Sequence, residues 1–237
     1  MPNKPLKQDA LQAARRLAAA LGVMASASLS TTRQAIADVS RDHCRPLLKL
    51  HGFKTRGRGF WRETDGLLHD IAFQASMWGT AASGQFTINV GVTHPQMYAL
   101  FVHRAVPKNP SSAHWPISQR IGFLLPEKRD KWWSVDETTD VPTLGQEIAR
   151  ALETAALPFL DSLRNRQQFG AYLDAGYWVG IPDLQIQLAR GLLMYCNGER
   201  QQALDTLSAT LELVSGKPGE SMIRMALEEL QSRGNDA

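Results

Sequence analysis

The chain has 237 residues, 43% of them apolar and 21% charged, with a formal charge of +3 and a pI near 9.0. That length admits one large domain or two small ones, and the composition is that of an ordinary globular protein, with disorder expected at most at the termini. The basic excess suits an acidic or neutral partner but falls far short of a dedicated nucleic-acid binder.

Residues 1–30 read as an Ala-rich helical extension ending in the small-residue linker MASASLS. Arg15-Arg16, the run LAAALGVM and Ala25-Ser26-Ala27 have the outline of a secretory signal. The apolar core is short and Ala-dominated, however, and Asp9 interrupts the charged region before it. A start at Met24 is the other plain reading. Ser30, Thr31 and Thr32 then offer capping oxygens for a helix to Leu50, with Pro46 a break or kink and Gly52 a C-terminal cap.

Beyond His51 the period changes from 3.6 to 2. Phe60–Thr64 and Leu67–Met77 read as a hairpin around Asp65-Gly66, followed by a flexible GTAASG connection. Gln85–Thr93 is the clearest strand: Phe86, Ile88, Val90 and Val92 alternate with Thr87, Asn89, Gly91 and Thr93. A short helix from Pro95 to Val106, a loop over 107–116, a strand from Gln119 to Leu125 and a strand from Lys131 to Val135 follow. Thr143–Leu163 reads as a long helix bent at Pro158. Three amphipathic helices close the chain, Asp183–Tyr195, Glu199–Val214 and Glu220–Gln231, separated by Gly-containing turns. The stretch LARGLLMYCNGERQQALDTL resembles one helix pair of a tetratricopeptide-type repeat, with Gly191, Tyr195, Gly198 and Ala203 in position. A single unit does not stack, so it reads as an appendage docked on the sheet.

The expected fold is therefore α+β. An antiparallel sheet of about four to five strands packs on helices, with a C-terminal helical bundle. The units are an extension over 1–30, a sheet domain over 31–165 and a helical region over 166–237.

Four motifs in the middle of the chain carry a resemblance. They are Gly52-Phe53-Lys54 with Gly57 and Phe60; Gln74 with Ser76; Phe86 with Asn89, Gly91 and Val92; and Arg120 and Gly122 with Asp130-Lys131-Trp132-Trp133. In this order they resemble an uncharacterised bacterial family known only as a domain of unknown function. The resemblance implies a fold and no mechanism. By context it is similar to the small domains that accompany secreted toxins as immunity proteins.

Three groups of residues are candidates for contact with a partner. Lys54, Arg56, Arg58 and Arg62, interleaved with Phe53, Phe60 and Trp61, form a basic turn that could grip phosphates or acidic groups. Asp70, Gln74, Ser76, Thr87, Asn89 and Arg120 fall on the hydrophilic side of the strands. Trp132 and Trp133 point to opposite faces, so one can serve the core and the other an interface. The bland alternatives are a solvated turn, an ordinary wet face and two structural tryptophans. The favoured partner set is Arg56, Arg58, Arg62, Gln74, Asn89, Arg120, Trp132 and Trp133.

No nucleophile elbow, phosphate loop or zinc-binding HExxH pattern occurs. His43, His51, His69, His94, His103 and His114 show no ligand spacing. His69 beside Asp70 is the nearest approach to a catalytic pair. Cys44 and Cys196 are too isolated for a disulfide framework, which suggests a reducing cytoplasmic compartment, and no apolar run is long enough to span a membrane. No catalytic residue, metal or cofactor is expected. The function expected is direct binding of a protein, most concretely a cognate toxin. A nucleic-acid or phosphate-ligand module and an enzyme using the polar sheet face are the alternatives.

Overall fold

A computed structural model describes residues 30–107, 116–176 and 183–233. The Ala-rich extension with its signal-like run, most of the loop expected over 107–116, and His114 lie outside the described residues.

The fold is α+β. Helix α1 (Thr31–Val39) runs through a five-residue π turn at Ser40–Cys44 into α2 (Arg45–Leu50). Pro46 therefore does not break the helix. The π turn widens the backbone where the ring, which lacks an N–H, would otherwise strike the preceding turn. The same device recurs between α4 (Val141–Ala151) and α5 (Leu157–Asp161), where a π turn at Leu152–Ala156 precedes Pro158. These two elements realise the predicted long helix.

Six antiparallel strands form one sheet in the order β1-β2-β3-β4-β5, with β6 also on β4. They are β1 (Lys54–Arg56), β2 (Gly59–Thr64), β3 (Leu67–Gly79), β4 (Gly84–Thr93), β5 (Pro116–Arg120) and β6 (Trp133–Val135). The basic run expected as a turn is largely strand β1, and only Gly57 and Arg58 turn the chain. The Asp65-Gly66 hairpin forms as predicted, both residues taking positive φ (48° and 73°), the combination a tight two-residue turn requires. The expected strand Gln119–Leu125 is corrected. Strand β5 ends at Arg120, and Ile121–Phe123 curl into a 3₁₀ turn. A Cβ on Gly122 would sit 2.3 Å from the Arg129 carbonyl and 2.4 Å from the Lys131 amide, so the chain folds tightly back on itself here.

Helix α3 (Pro95–Val102) is capped by His94, whose Nδ1 accepts the Met97 amide. Helix α6 (Arg166–Ala175), within the helical region expected over 166–237 though not delimited there, is capped by Asn165 accepting the Gln168 amide at 2.9 Å. Helices α7 (Asp183–Cys196), α8 (Arg200–Leu213) and α9 (Glu220–Ser232) follow.

Directly paired residues share a face of the sheet. Phe60, Ile71, Val90 and Gln119 form one row, and Arg62, His69, Val92 and Ile117 the next. This face is buried: α1 packs on β3, β4 and β6, and α5 on β4. The apolar cluster continues without interruption from Ala35 and Ile36 through the sheet to Leu207, Ile223 and Leu230 of the last two helices.

Candidate functional site

The opposite face carries the polar side chains. Lys54, Trp61, Asp70, Gly91 and Ser118 make one row across five strands, and Arg56, Gly59, Ala72, Asn89 and Arg120 the next. Gln74 and Thr87 pair in the row beyond.

The face is wet in part only. Asp70 is 1% exposed and Thr87 is fully buried, its hydroxyl donating to the Lys131 carbonyl at 2.8 Å. Gln74 is exposed and Asn89 half-buried, and Asn89 Nδ2 donates to Gln74 Oε1 at 2.8 Å. Arg120, opposite Asn89, pairs with Asp130 and lies over the Trp132 ring, 5.0 Å from its centre. The Trp132 indole N–H donates to the same Asp130 carboxylate at 3.0 Å. At the far end of the face Lys54 lies over Trp61, 4.9 Å from its centre. The structure therefore brings Gln74, Asn89, Arg120 and Trp132 into one contiguous patch. Arg56 is exposed in the same row, and Arg58 is exposed in the adjoining turn.

Two members of the expected set belong elsewhere. Arg62 is 7% exposed on the core face and is fully engaged there. It donates to Asp161 Oδ1 at 2.5 Å, to the His51 carbonyl at 3.2 Å and to His69 Nδ1 at 3.2 Å, and it lies over the Phe53 ring. Trp133 is 5% exposed, stacks on Phe86 and donates its indole N–H to Glu147. Both are pieces of internal architecture. The sequence concealed this because their partners, Asp161 and Glu147, arrive from distant helices.

His69 and Asp70 point to opposite faces and do not form a pair. His69 Nε2 lies 2.9 Å from the Leu163 carbonyl, so Nε2 carries the proton and Nδ1 accepts from Arg62. Burial, reinforced by Arg62, pulls its pKa down to about 4. The imidazole is neutral at physiological pH. Burial acts against ionisation of Asp161, but Arg62 and Arg164 outweigh it and hold this carboxyl below the usual range. Among the described residues no group of His, Cys, Asp or Glu could hold a metal ion, and no helix is long and apolar enough to cross a membrane.

The strongest surface feature escaped the sequence reading. Met77 and Trp78, at the end of β3, are 94% and 83% exposed. The following residues are not the free connection that their composition suggests. Thr80 N–H donates to the Ser83 carbonyl at 2.8 Å, and the Ala82 and Ser83 amides donate back to Thr80 Oγ1. The Thr31 amide, opening α1, donates to the Ala81 carbonyl at 2.9 Å. Ser76 Oγ accepts the Trp78 amide. The tip is thus hydrogen-bonded to itself and to a helix while presenting two large apolar side chains to solvent. A Met-Trp pair just before a Gly-rich turn was the available signal.

No curated protein and no solved structure matches the chain. A family model described as "Domain of unknown function (DUF4304)" matches residues 44–162. This span holds all six strands, the polar patch and the hairpin tip, and it leaves the C-terminal helices outside. The match takes in half of the sequence, and the chain belongs to this DUF4304 family.

Proposed function

We propose that the chain is a non-catalytic cytoplasmic binding protein of the immunity type, which neutralises a bacterial toxin by covering part of its surface. One observation carries the reading: Met77 and Trp78 are held in solvent by a hydrogen-bonded hairpin tip. Leaving two such side chains exposed forgoes about 3 kcal/mol or more of burial energy, which a partner can recover. Tryptophan is the side chain most often dominant at protein interfaces, and a pre-formed tip loses little entropy on binding. The same strand continues into Gln74, so apolar anchor and polar patch adjoin, as in an interface with a dry centre and a hydrogen-bonding margin. Arg56 and Arg58 beside the patch favour an acidic or neutral contact surface on the partner.

Co-expression with the protein encoded by the adjacent gene tests this reading. A stable complex and restored growth are expected, both lost when Met77 and Trp78 become Ser. Absence of a complex together with absence of protection overturns it.

A second reading, a nucleic-acid or phosphate-ligand module, is favoured by the Lys54–Trp61 and Arg120–Trp132 pairs, since bases stack on aromatics beside cations. It requires salt-sensitive binding that weakens when Arg56 and Arg58 become Ala. The enzymatic alternative draws no such support from Asp70, which is buried, or from His69 on the other face.

A further inference from the structure

The segment Arg129–Trp133 serves two surfaces. Asp130 and Trp132 engage Arg120 on the polar face, while Lys131 and Trp133 turn toward α4. Behind them lies a cavity of about 190 Å³, bounded by Gly122 and Leu125–Glu127 on one side and by Glu147, Arg150 and Thr154 on the other. Three cations line it: Arg129, Lys131 and Arg150.

Their partners decide what the cavity can hold. Lys131 Nζ meets Glu147 Oε1 at 2.6 Å, and the Trp133 indole N–H donates to that same oxygen at 2.9 Å. Burial acts against ionisation of Glu147, but Lys131 and Trp133 prevail and lower its pKa, so lysine and carboxylate neutralise each other. Among the described residues Arg129 and Arg150 make no ion pair. Glu127 also lines the cavity, so its lining holds three cations against two carboxylates. The cavity therefore keeps an excess positive charge, with two guanidinium groups in its lining. Guanidinium forks match planar or tetrahedral oxyanions and bind them better than a point charge does. The volume is below the range for drug-sized ligands, which limits the occupant to a small anion.

We infer that this cavity is a binding site for a small oxyanion, a phosphate or a compact dicarboxylate, held by Arg129 and Arg150 beside the Lys131–Glu147–Trp133 cluster. The site is independent of the partner surface proposed above. Both arginines are exposed, so their replacement leaves the fold intact.

The test is titration calorimetry of the full chain with inorganic phosphate in one arm and malonate in the other. Saturable binding is expected in at least one arm, weakened roughly tenfold or more by Arg129→Gln with Arg150→Gln. It should be unchanged by Arg45→Gln with Lys49→Gln, which remove the same charge outside the cavity. Binding of phosphate alone assigns a phosphate-bearing ligand, binding of malonate alone a dicarboxylate, and binding of both a general oxyanion site. No binding of either anion at about 10 mM overturns the inference. Equal weakening by both pairs of substitutions, which would mean diffuse charge attraction, overturns it as well.

Discussion

Gly91 faces Asp70 across β4 and β3, and a Cβ built on it would lie 2.7 Å from Asp70 Oδ1 and 3.1 Å from the Ile117 carbonyl. The glycine makes room for a buried carboxylate between neighbouring strands. Gly91→Ala would press a methyl group against two oxygens, one of them backbone, and neither can retreat without disturbing the sheet. A loss of about 2 kcal/mol is expected, read from urea unfolding midpoints at unchanged slope.

A similar close approach joins helix to helix. The His43 ring, in the first π turn, lies against Gly145 of α4, where a Cβ would come within 2.2 Å of the imidazole. Gly145→Ala should destabilise by about 1–3 kcal/mol despite the better helix propensity of alanine. In the His43→Ala background the same change should become nearly neutral. The coupling in that double-mutant cycle is the measurement, and additivity would refute the contact.

Arg62 joins β2 to β3, the end of α2 and the end of α5 through His69, the His51 carbonyl and Asp161. Arg62→Met keeps much of the packing on Phe53 but strands those acceptors. A loss of about 3 kcal/mol is expected by chemical denaturation, with Arg62→Lys recovering only part, since one ammonium cannot reach all three partners.

Acid should destabilise the fold through histidine. Burial lowers both His69 and His94 to about 4, and for His94 the neighbouring Arg166 adds to the effect. A depressed native pKa means that the unfolded chain takes up the proton first. The stability contributed is therefore complete above pH 6.5 and is lost as pH falls toward 4. Each histidine should account for about 2 kcal/mol between pH 7 and pH 5. Unfolding free energies at those two values should show the decline, and His69→Gln should remove about half of it, leaving the part due to His94.

At the hairpin tip the expectation is reversed. Met77→Ser with Trp78→Ser should leave the unfolding midpoint within about 0.5 kcal/mol of the parent, since neither side chain is packed. Partner binding alone should suffer. A large loss of stability would mean that the two residues are structural.

The sheet was legible where one residue type repeats at period 2 and a turn demands particular dihedrals. Phe86 to Val92 and Asp65-Gly66 satisfy both conditions. Strand β1 was not legible, because Lys54, Thr55 and Arg56 are three residues at an edge, with little apolar contrast between faces. The alternation of Ile121, Phe123 and Leu125 misled, because the same spacing serves a 3₁₀ turn once Gly122 lets the chain double back. Within the candidate site, Gln74, Asn89 and Arg120 could be placed together from strand parity, whereas Trp132 lies just before β6 and joins them only through Arg120 and Asp130. Arg62 could not be excluded that way: its burial depends on Asp161, 99 residues along the chain. Met77 and Trp78 went unmarked because local sequence does not reveal that a Gly-Ser-rich connection is tied to the start of α1.

The two π turns before Pro46 and Pro158 have one more implication. Each is an ordinary helical coil holding a surplus residue, so each has a deletion that would regularise it. Excising one amino acid from Leu152–Ala156 would restore the regular ladder with Leu157 and Leu160 close to their present phase, but it would press the Pro158 ring against the carbonyl one turn earlier. In these helices a shorter, more regular chain would be the worse one.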